Sequence, residues 1–174
     1  ASFPVTVVIT EPETAVSVVA TGINNLCNGD NTGVVIAVAT GGTGPYEFLW
    51  NSSPVQMNDT ASNLPAGTYQ VSVTDANGCV AIDEVTISGP PAIVISVSST
   101  EADCPDTNNG SISLTISGGT APYNFFWEDG NTSQNRTELL PGNYKVTVTD
   151  ANGCPAMTTA TVGFIGTFGC VEIP

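Results

Sequence analysis

Five cysteines are the residues of this 174-residue chain best suited to chemistry: Cys27, Cys79, Cys104, Cys154 and Cys170. No two of them form a Cys-x-x-Cys pair, so the pattern points to disulfides rather than zinc. Disulfides imply an oxidising, extracytoplasmic setting. Two of the five close the same turn, because Asp75-Ala-Asn77-Gly78-Cys79 recurs as Asp150-Ala-Asn152-Gly153-Cys154. Asp75, Asn77, Asp150 and Asn152 admit two readings. One is turn chemistry, in which the carboxylate accepts backbone N–H groups and Asn-Gly supplies the reversal. The other is a calcium site completed by acids of a neighbouring repeat, with Asp30, Asp103 and Asp106 as candidates. Calcium takes roughly six to eight oxygens, more than one turn holds. Calcium is the one cofactor these residues could take.

Catalytic constellations are missing from the sequence. The chain has no His, hence no Ser–His or Cys–His pair. No Gly-rich phosphate loop opens a helix. The carboxylate pairs Asp83-Glu84 and Glu128-Asp129 are adjacent in strand or turn, and strand neighbours point to opposite faces. These acids read as solvated surface, and the chain as a non-enzyme.

The turns belong to strands. Tyr69, Val71 and Val73 alternate with polar residues ahead of the first turn, as do Tyr144, Val146 and Val148 ahead of the second. That is the period of a strand with one buried face. The whole chain repeats in this way. Cys27 and Cys104, Pro45 and Pro122, and Trp50 and Trp127 are each 77 residues apart, whereas Tyr69 and Tyr144, and Cys79 and Cys154, are each 75 apart. The two-residue loss falls in a loop after the Trp. A fixed period of this size marks an array. The pattern predicts strands over residues 15–20, 33–40, 46–50, 67–74 and 79–87, with a polar loop over 21–32 and one short strand within 51–62. The second repeat predicts strands over 92–98, 110–117, 123–127, 142–149 and 154–162, with a short piece near 136–139. Short strands separated by Gly, Pro and Asn turns indicate an all-β chain of two tandem immunoglobulin-like antiparallel β-sandwiches. Leu-x-x-Gly-x-Tyr before an alternating strand matches a tyrosine corner. Residues 13–89 form the first repeat and 90–164 the second, and 165–174 begin a following segment. Residues 1–12 resemble the end of repeat one, so they read as the last strand of an upstream repeat or as a strand donated to another subunit.

The net charge is −14, with Arg136 and Lys145 the only basic residues. That argues against nucleic acid, whose phosphates need Lys and Arg, and against anionic lipid surfaces. Charged residues make up 10% of the chain against 41% hydrophobic, which is not the balance of a disordered acidic tail. No apolar run is long enough to insert in a membrane. One strand is odd. Val34, Ile36 and Val38 occupy the face where repeat two has Ser111, Ser113 and Thr115; they read either as plain strand propensity, since β-branched residues suit any strand, or as an apolar patch covered by another chain or a neighbouring domain.

Cys-x-Gly-like openings, Gly-Gly-x-x-Pro-Tyr-x-Phe-x-Trp and Leu-x-x-Gly-x-Tyr-x-Val-x-Val-Thr-Asp-Ala-Asn-Gly-Cys together resemble the SprB repeat, over 27–79 and again over 104–154. That family occurs in giant surface adhesins of gliding bacteria of the Bacteroidetes group. The resemblance implies a bacterial cell-surface stalk, exported by a type IX system and linked to gliding or surface attachment. The partners it implies are neighbouring repeats of the same chain and a surface polysaccharide. The rivals are a filament subunit that donates residues 3–10 to other copies, and a carbohydrate-binding module using Leu49, Phe126 and the Asn-rich loops without an exposed aromatic platform. Asp59-Thr60-Ala61 also resembles the Asp-Thr-apolar site that this bacterial group O-glycosylates, which marks Thr60.

Strand order bears on the cysteines. In an immunoglobulin-like sandwich, the loop holding Cys27 and the hairpin holding Cys79 sit at opposite ends. A seven-residue strand spans about 23 Å, and bridged Cα atoms lie within about 7 Å. The favoured pairing therefore joins neighbouring repeats, Cys27 with Cys154 and Cys104 with Cys170, leaving Cys79 over. The within-repeat pairing, Cys27 with Cys79 and Cys104 with Cys154, stands beside it.

Overall fold

In the computed structural model, which describes residues 14–166, every regular element is a strand. Six strands form the first repeat: β1 (Ser17–Ile23), β2 (Gly33–Thr40), β3 (Glu47–Trp50), β4 (Thr60–Leu64), β5 (Gly67–Thr74) and β6 (Val80–Ile87). Six more copy them: β7 (Val94–Thr100), β8 (Gly110–Ser117), β9 (Asn124–Trp127), β10 (Arg136–Leu139), β11 (Gly142–Thr149) and β12 (Pro155–Val162). Each repeat folds into two three-stranded sheets, β1-β2-β4 with β3-β5-β6, and β7-β8-β10 with β9-β11-β12. All strand pairs are antiparallel. This is an immunoglobulin-like sandwich twice over.

Contacts divide the chain between Gly89 and Pro90, with one exception: Leu26–Asn28 pack with the second unit although Asn25 and Gly29 belong to the first. Two boundaries depart from the sequence reading. Strand β1 starts at Ser17 and runs on to Ile23, because Thr21, Gly22 and Ile23 pair with Ile36, Val35 and Val34, so the loop is shorter than 21–32. Ile165, read as the start of a following segment, still donates its N–H to Ala102 O and so belongs with repeat two. Residues 1–12, read as an upstream or donated strand, lie outside the described residues.

The inward faces carry the alternation. In the first unit Val35, Trp50, Ala61, Val71 and Val73 are fully buried; in the second Trp127, Val146 and Val148 are. Each Trp ring is also tied by its N–H, Trp50 Nε1 to Asn58 O at 3.0 Å and Trp127 Nε1 to Ser133 O at 2.8 Å. The strand after each Trp departs from regular pairing. Register shifts between Gly33 and Val35 and between Arg136 and Leu139, and Asn63 and Glu138 take φ of 57° at these bulges. Gly33 and Gly110 make the close approach feasible, since a Cβ would lie 2.7 Å from Leu64 O and 2.4 Å from Val162 Cγ1 respectively.

Both tyrosine corners are built. Tyr69 Oη donates to Pro65 O at 2.8 Å and Tyr144 Oη to Leu140 O at 2.7 Å. The Tyr69 ring is buried, and burial pushes its hydroxyl pKa up. Tyr69→Phe is expected to cost roughly 0.5–1.5 kcal/mol, the net worth of the part-buried hydrogen bond to Pro65 O that the change removes. Tyr144, half-buried, should cost less on the same change. Thermal melts of the two single variants check this order; equal, unshifted melts would reject the corner as a stabilising element.

Candidate functional site

The hairpin turns joining β5 to β6 and β11 to β12 each enclose a buried carboxylate. Asp75 and Asp150 are buried to 4% and 2% exposure, and backbone N–H groups converge on both. Asp75 Oδ1 accepts from Asn77 N and Cys79 N at 2.9 Å, and Oδ2 from Thr43 N at 3.0 Å. Asp150 Oδ1 accepts from Asn152 N and Cys154 N at 2.9 Å, and Oδ2 from Thr120 N at 2.9 Å. Each carboxylate thus welds its hairpin to the Gly-rich turn between the second and third strands of its unit. The Asn side chains finish the weld, Asn77 Nδ2 on Thr43 Oγ1 and Asn152 Nδ2 on Thr120 Oγ1.

These donors hold both carboxyls below the ordinary Asp value. For Asp75 the N–H of Thr43 is the largest influence, followed by that of Cys79. For Asp150 burial pushes upward most strongly, and the N–H groups of Cys154, Thr120 and Asn152 together outweigh it. A lowered folded pKa stabilises above the unfolded value, and that contribution is lost as pH falls from the unfolded value through the folded one. The stabilisation from both turns should therefore be complete above the ordinary value of 3.8 and disappear on further acidification. In Asp75→Asn/Asp150→Asn the amide N–H would face the Thr43 and Thr120 N–H groups. That variant is expected to melt lower at neutral pH and to lose less on acidification. Melting curves across the acid range check both signs.

The geometry is that of turn chemistry. Among the described residues no group of three or more His, Cys, Asp or Glu side chains could hold a metal ion. Asp30, Asp103 and Asp106, the acids weighed as extra calcium ligands, join no such group. The Asn152 role lies elsewhere: its Nδ2 also donates to Leu26 O at 3.1 Å. Beside it, Cys154 is bonded to Cys27 across 127 residues of sequence, with Cα atoms 5.6 Å apart. Asn28 Nδ2 donates to Pro90 O at 3.1 Å on the other flank. All these groups belong to the second unit, since Leu26–Asn28 do. Leu26 and Asn28 escaped the sequence reading; their only signal there is that they flank Cys27.

The within-repeat alternative fails for a visible reason. Asn25 N donates to Ser88 O, and Asn24 accepts from Ser88 N, which places the Cys27 loop by the far end of β6 (Val80–Ile87). Cys79 precedes that strand. Eight strand residues separate the two by about 26 Å. Cys104 and Cys154 are separated likewise, with Ala102 N on Gly163 O just past β12 and Cys154 just before it. Cys79 is a free, exposed thiol. Cys104 is disulfide-bonded, and Cys170 lies outside the described residues.

The remaining expected sites are surface features. Thr60 is exposed, but it opens β4 and pairs with Ile36 rather than lying in a loop; Asn-Asp-Thr reads as a turn until that pairing is known. Val34, Ile36 and Val38 face outward, with Val38 58% exposed opposite Val19. Leu49 and Phe126 hold equivalent outward positions on β3 and β9. Phe126 is 60% exposed, in register with Thr147 and Met157. Arg136 lies over the Trp127 and Tyr144 rings, 5.2 and 5.5 Å from their centroids, and pairs with Asp129 at 2.6 Å. A groove of about 480 Å³ beside Tyr46, Phe48 and Met57 has Glu47 as its sole carboxylate. No helix of the described residues is long and apolar enough to cross a membrane.

The family model described as the SprB repeat matches residues 19–55 and again 96–132. No curated protein matches the chain. Among solved structures, the C-terminal 282-residue fragment of intimin, in complex with the intimin-binding domain of the translocated intimin receptor, is similar at 12% identity and a TM-score of 0.45, over 83% of this chain and 63% of that one. The full ectodomain of mouse nectin-like molecule 4 is similar at 11% identity and a TM-score of 0.40, over 89% of this chain and 66% of that one. DIP-gamma Ig1+Ig2 gives 11% identity and a TM-score of 0.41, over 89% and 98%. The chain thus spans less than two thirds of the length of the first two.

Proposed function

This chain carries the SprB repeat twice, and from that premise we propose that it is a non-catalytic structural segment of the stalk of a large bacterial surface adhesin, working outside the cell in gliding or surface attachment. The observation that carries the reading is the tandem repeat itself: two sandwiches of the same strand order, joined through Gly89-Pro90-Pro91. A short Pro-rich linker is semi-rigid rather than floppy, which suits a spacer. The cystine between Cys27 and Cys154 supports an oxidising location. The buried carboxylates Asp75 and Asp150 weld turns, which supports a mechanical task.

Molar mass measured across a wide concentration range tests this reading. A stalk segment stays monomeric at every concentration. A mass that climbs with concentration favours the filament subunit instead. A glycan array gives the third outcome: specific binding that is lost in Phe126→Ala would favour the carbohydrate module and a surface polysaccharide as direct ligand.

A further inference from the structure

The two hairpin turns are the same site, once occupied and once empty. Their frameworks agree bond by bond. Asp75 N donates to Cys79 O and Asp150 N to Cys154 O; Gly78 N donates to Asp75 O and Gly153 N to Asp150 O; Ala76 N donates to Thr43 O and Ala151 N to Thr120 O. The carboxylate and Asn bonds described above match as well. The difference lies in what each turn holds. Asn152 gives one amide hydrogen to Thr120 Oγ1 and the other to Leu26 O, and Cys154 takes Cys27. Asn77 gives one amide hydrogen to Thr43 Oγ1, and its second has no acceptor among the described residues. Beside it Cys79 stands exposed and unbonded, where its equivalent Cys154 is buried under the incoming loop.

We propose that Cys79 and Asn77 form a cystine acceptor for the Leu-Cys-Asn tip of the loop between the first two strands of a preceding SprB repeat in the same polypeptide. This rests on the stalk reading. The occupied site shows what is recognised: a carbonyl one residue before the incoming Cys for the Asn amide, and the Cys sulfur itself. It also shows the source, since the tip held by Cys154 comes from the preceding repeat of the same chain. The bond forms by thiol–disulfide exchange. The Cys79 thiolate attacks the incoming loop Cys, which arrives as a mixed disulfide with a small thiol. One S–S bond forms, one breaks, and the small thiol leaves as its thiolate. The oxidant is that disulfide.

The test uses the full oxidised chain in a glutathione buffer, with a hexapeptide of the sequence of residues 25–30, Asn-Leu-Cys-Asn-Gly-Asp, and a scrambled hexapeptide that keeps the Cys. Mass spectrometry after acid quenching reads what occupies Cys79. The native-order peptide is expected to be favoured over the scrambled one by about tenfold, the effect of about 1.4 kcal/mol that a single directed hydrogen bond can give. Asn77→Ala is expected to abolish the preference while leaving Cys79 reactive. Equal occupancy by the two peptides would overturn the proposal. So would preferential formation of a Cys79-linked dimer of the chain, which would make a second copy the occupant. Neither result alters the molar mass of the chain under reducing conditions, so the stalk reading is tested separately.

Discussion

Replacing Cys27 and Cys154 together by serine is expected to lower the stability of the second unit by roughly 2–5 kcal/mol. The bond joins residues 127 apart in sequence. Closing a loop of that length removes about 4–5 kcal/mol of unfolded-state entropy in the chain-entropy model. The lower figure applies if the unlinked chain keeps residual structure. Leu26 O and Asn28 would also lose their register on Asn152 and Pro90. Denaturant melts of the double variant check this, with Cys79→Ser as the control that should leave the midpoint in place. A double variant that melts like the parent would show that the cystine holds nothing the packing does not already hold.

Trp127→Ala is expected to be at least as damaging, at about 3–5 kcal/mol. The ring is fully buried at the centre of the second core, so the change opens a cavity among Val146, Val148 and Ile112. Ser133 O loses its donor. Arg136 loses a ring face beneath its guanidinium, and its side chain, only 11% exposed, is left with Asp129 and Tyr144. A domain of this size has about 5–15 kcal/mol in all, so the second unit should sit near its unfolding threshold. Trp50→Ala should act alike on the first unit through its own Asn58 bond. Near-UV circular dichroism and melting curves of both variants check the claim; a parent-like melt of Trp127→Ala would contradict the placement of that ring.

The sequence made the strands with clean alternation legible. The expected spans 33–40, 110–117 and 142–149 coincide with the elements observed. Tyr69 and Tyr144 were recognisable as corners because Leu-x-x-Gly-x-Tyr fixes both the turn and the strand that follows it. Residues 21–23 were misread because Gly and Thr carry no period; cross-strand pairing with 34–36 makes them strand. The bulges at Asn63 and Glu138 were invisible, since nothing in Glu announces a positive φ. At the candidate site, Asp75 and Asp150 could be read as turn acceptors from their own neighbourhood. Asn152 could not, because half of its bonding goes to a residue 126 positions away.

Pulling the oxidised chain from its two ends, one molecule at a time, tests the Cys27–Cys154 cystine, on which the proposed stalk reading leans, most directly. With Cys27 and Cys154 joined, the stretch of chain between them, 127 steps in sequence, cannot contribute to extension, at about 3.3–3.6 Å per residue. Opening this bond is therefore expected to lengthen the fully unfolded chain by roughly 410–450 Å. An oxidised chain that extends as far as the reduced one would contradict a cystine spanning these repeats.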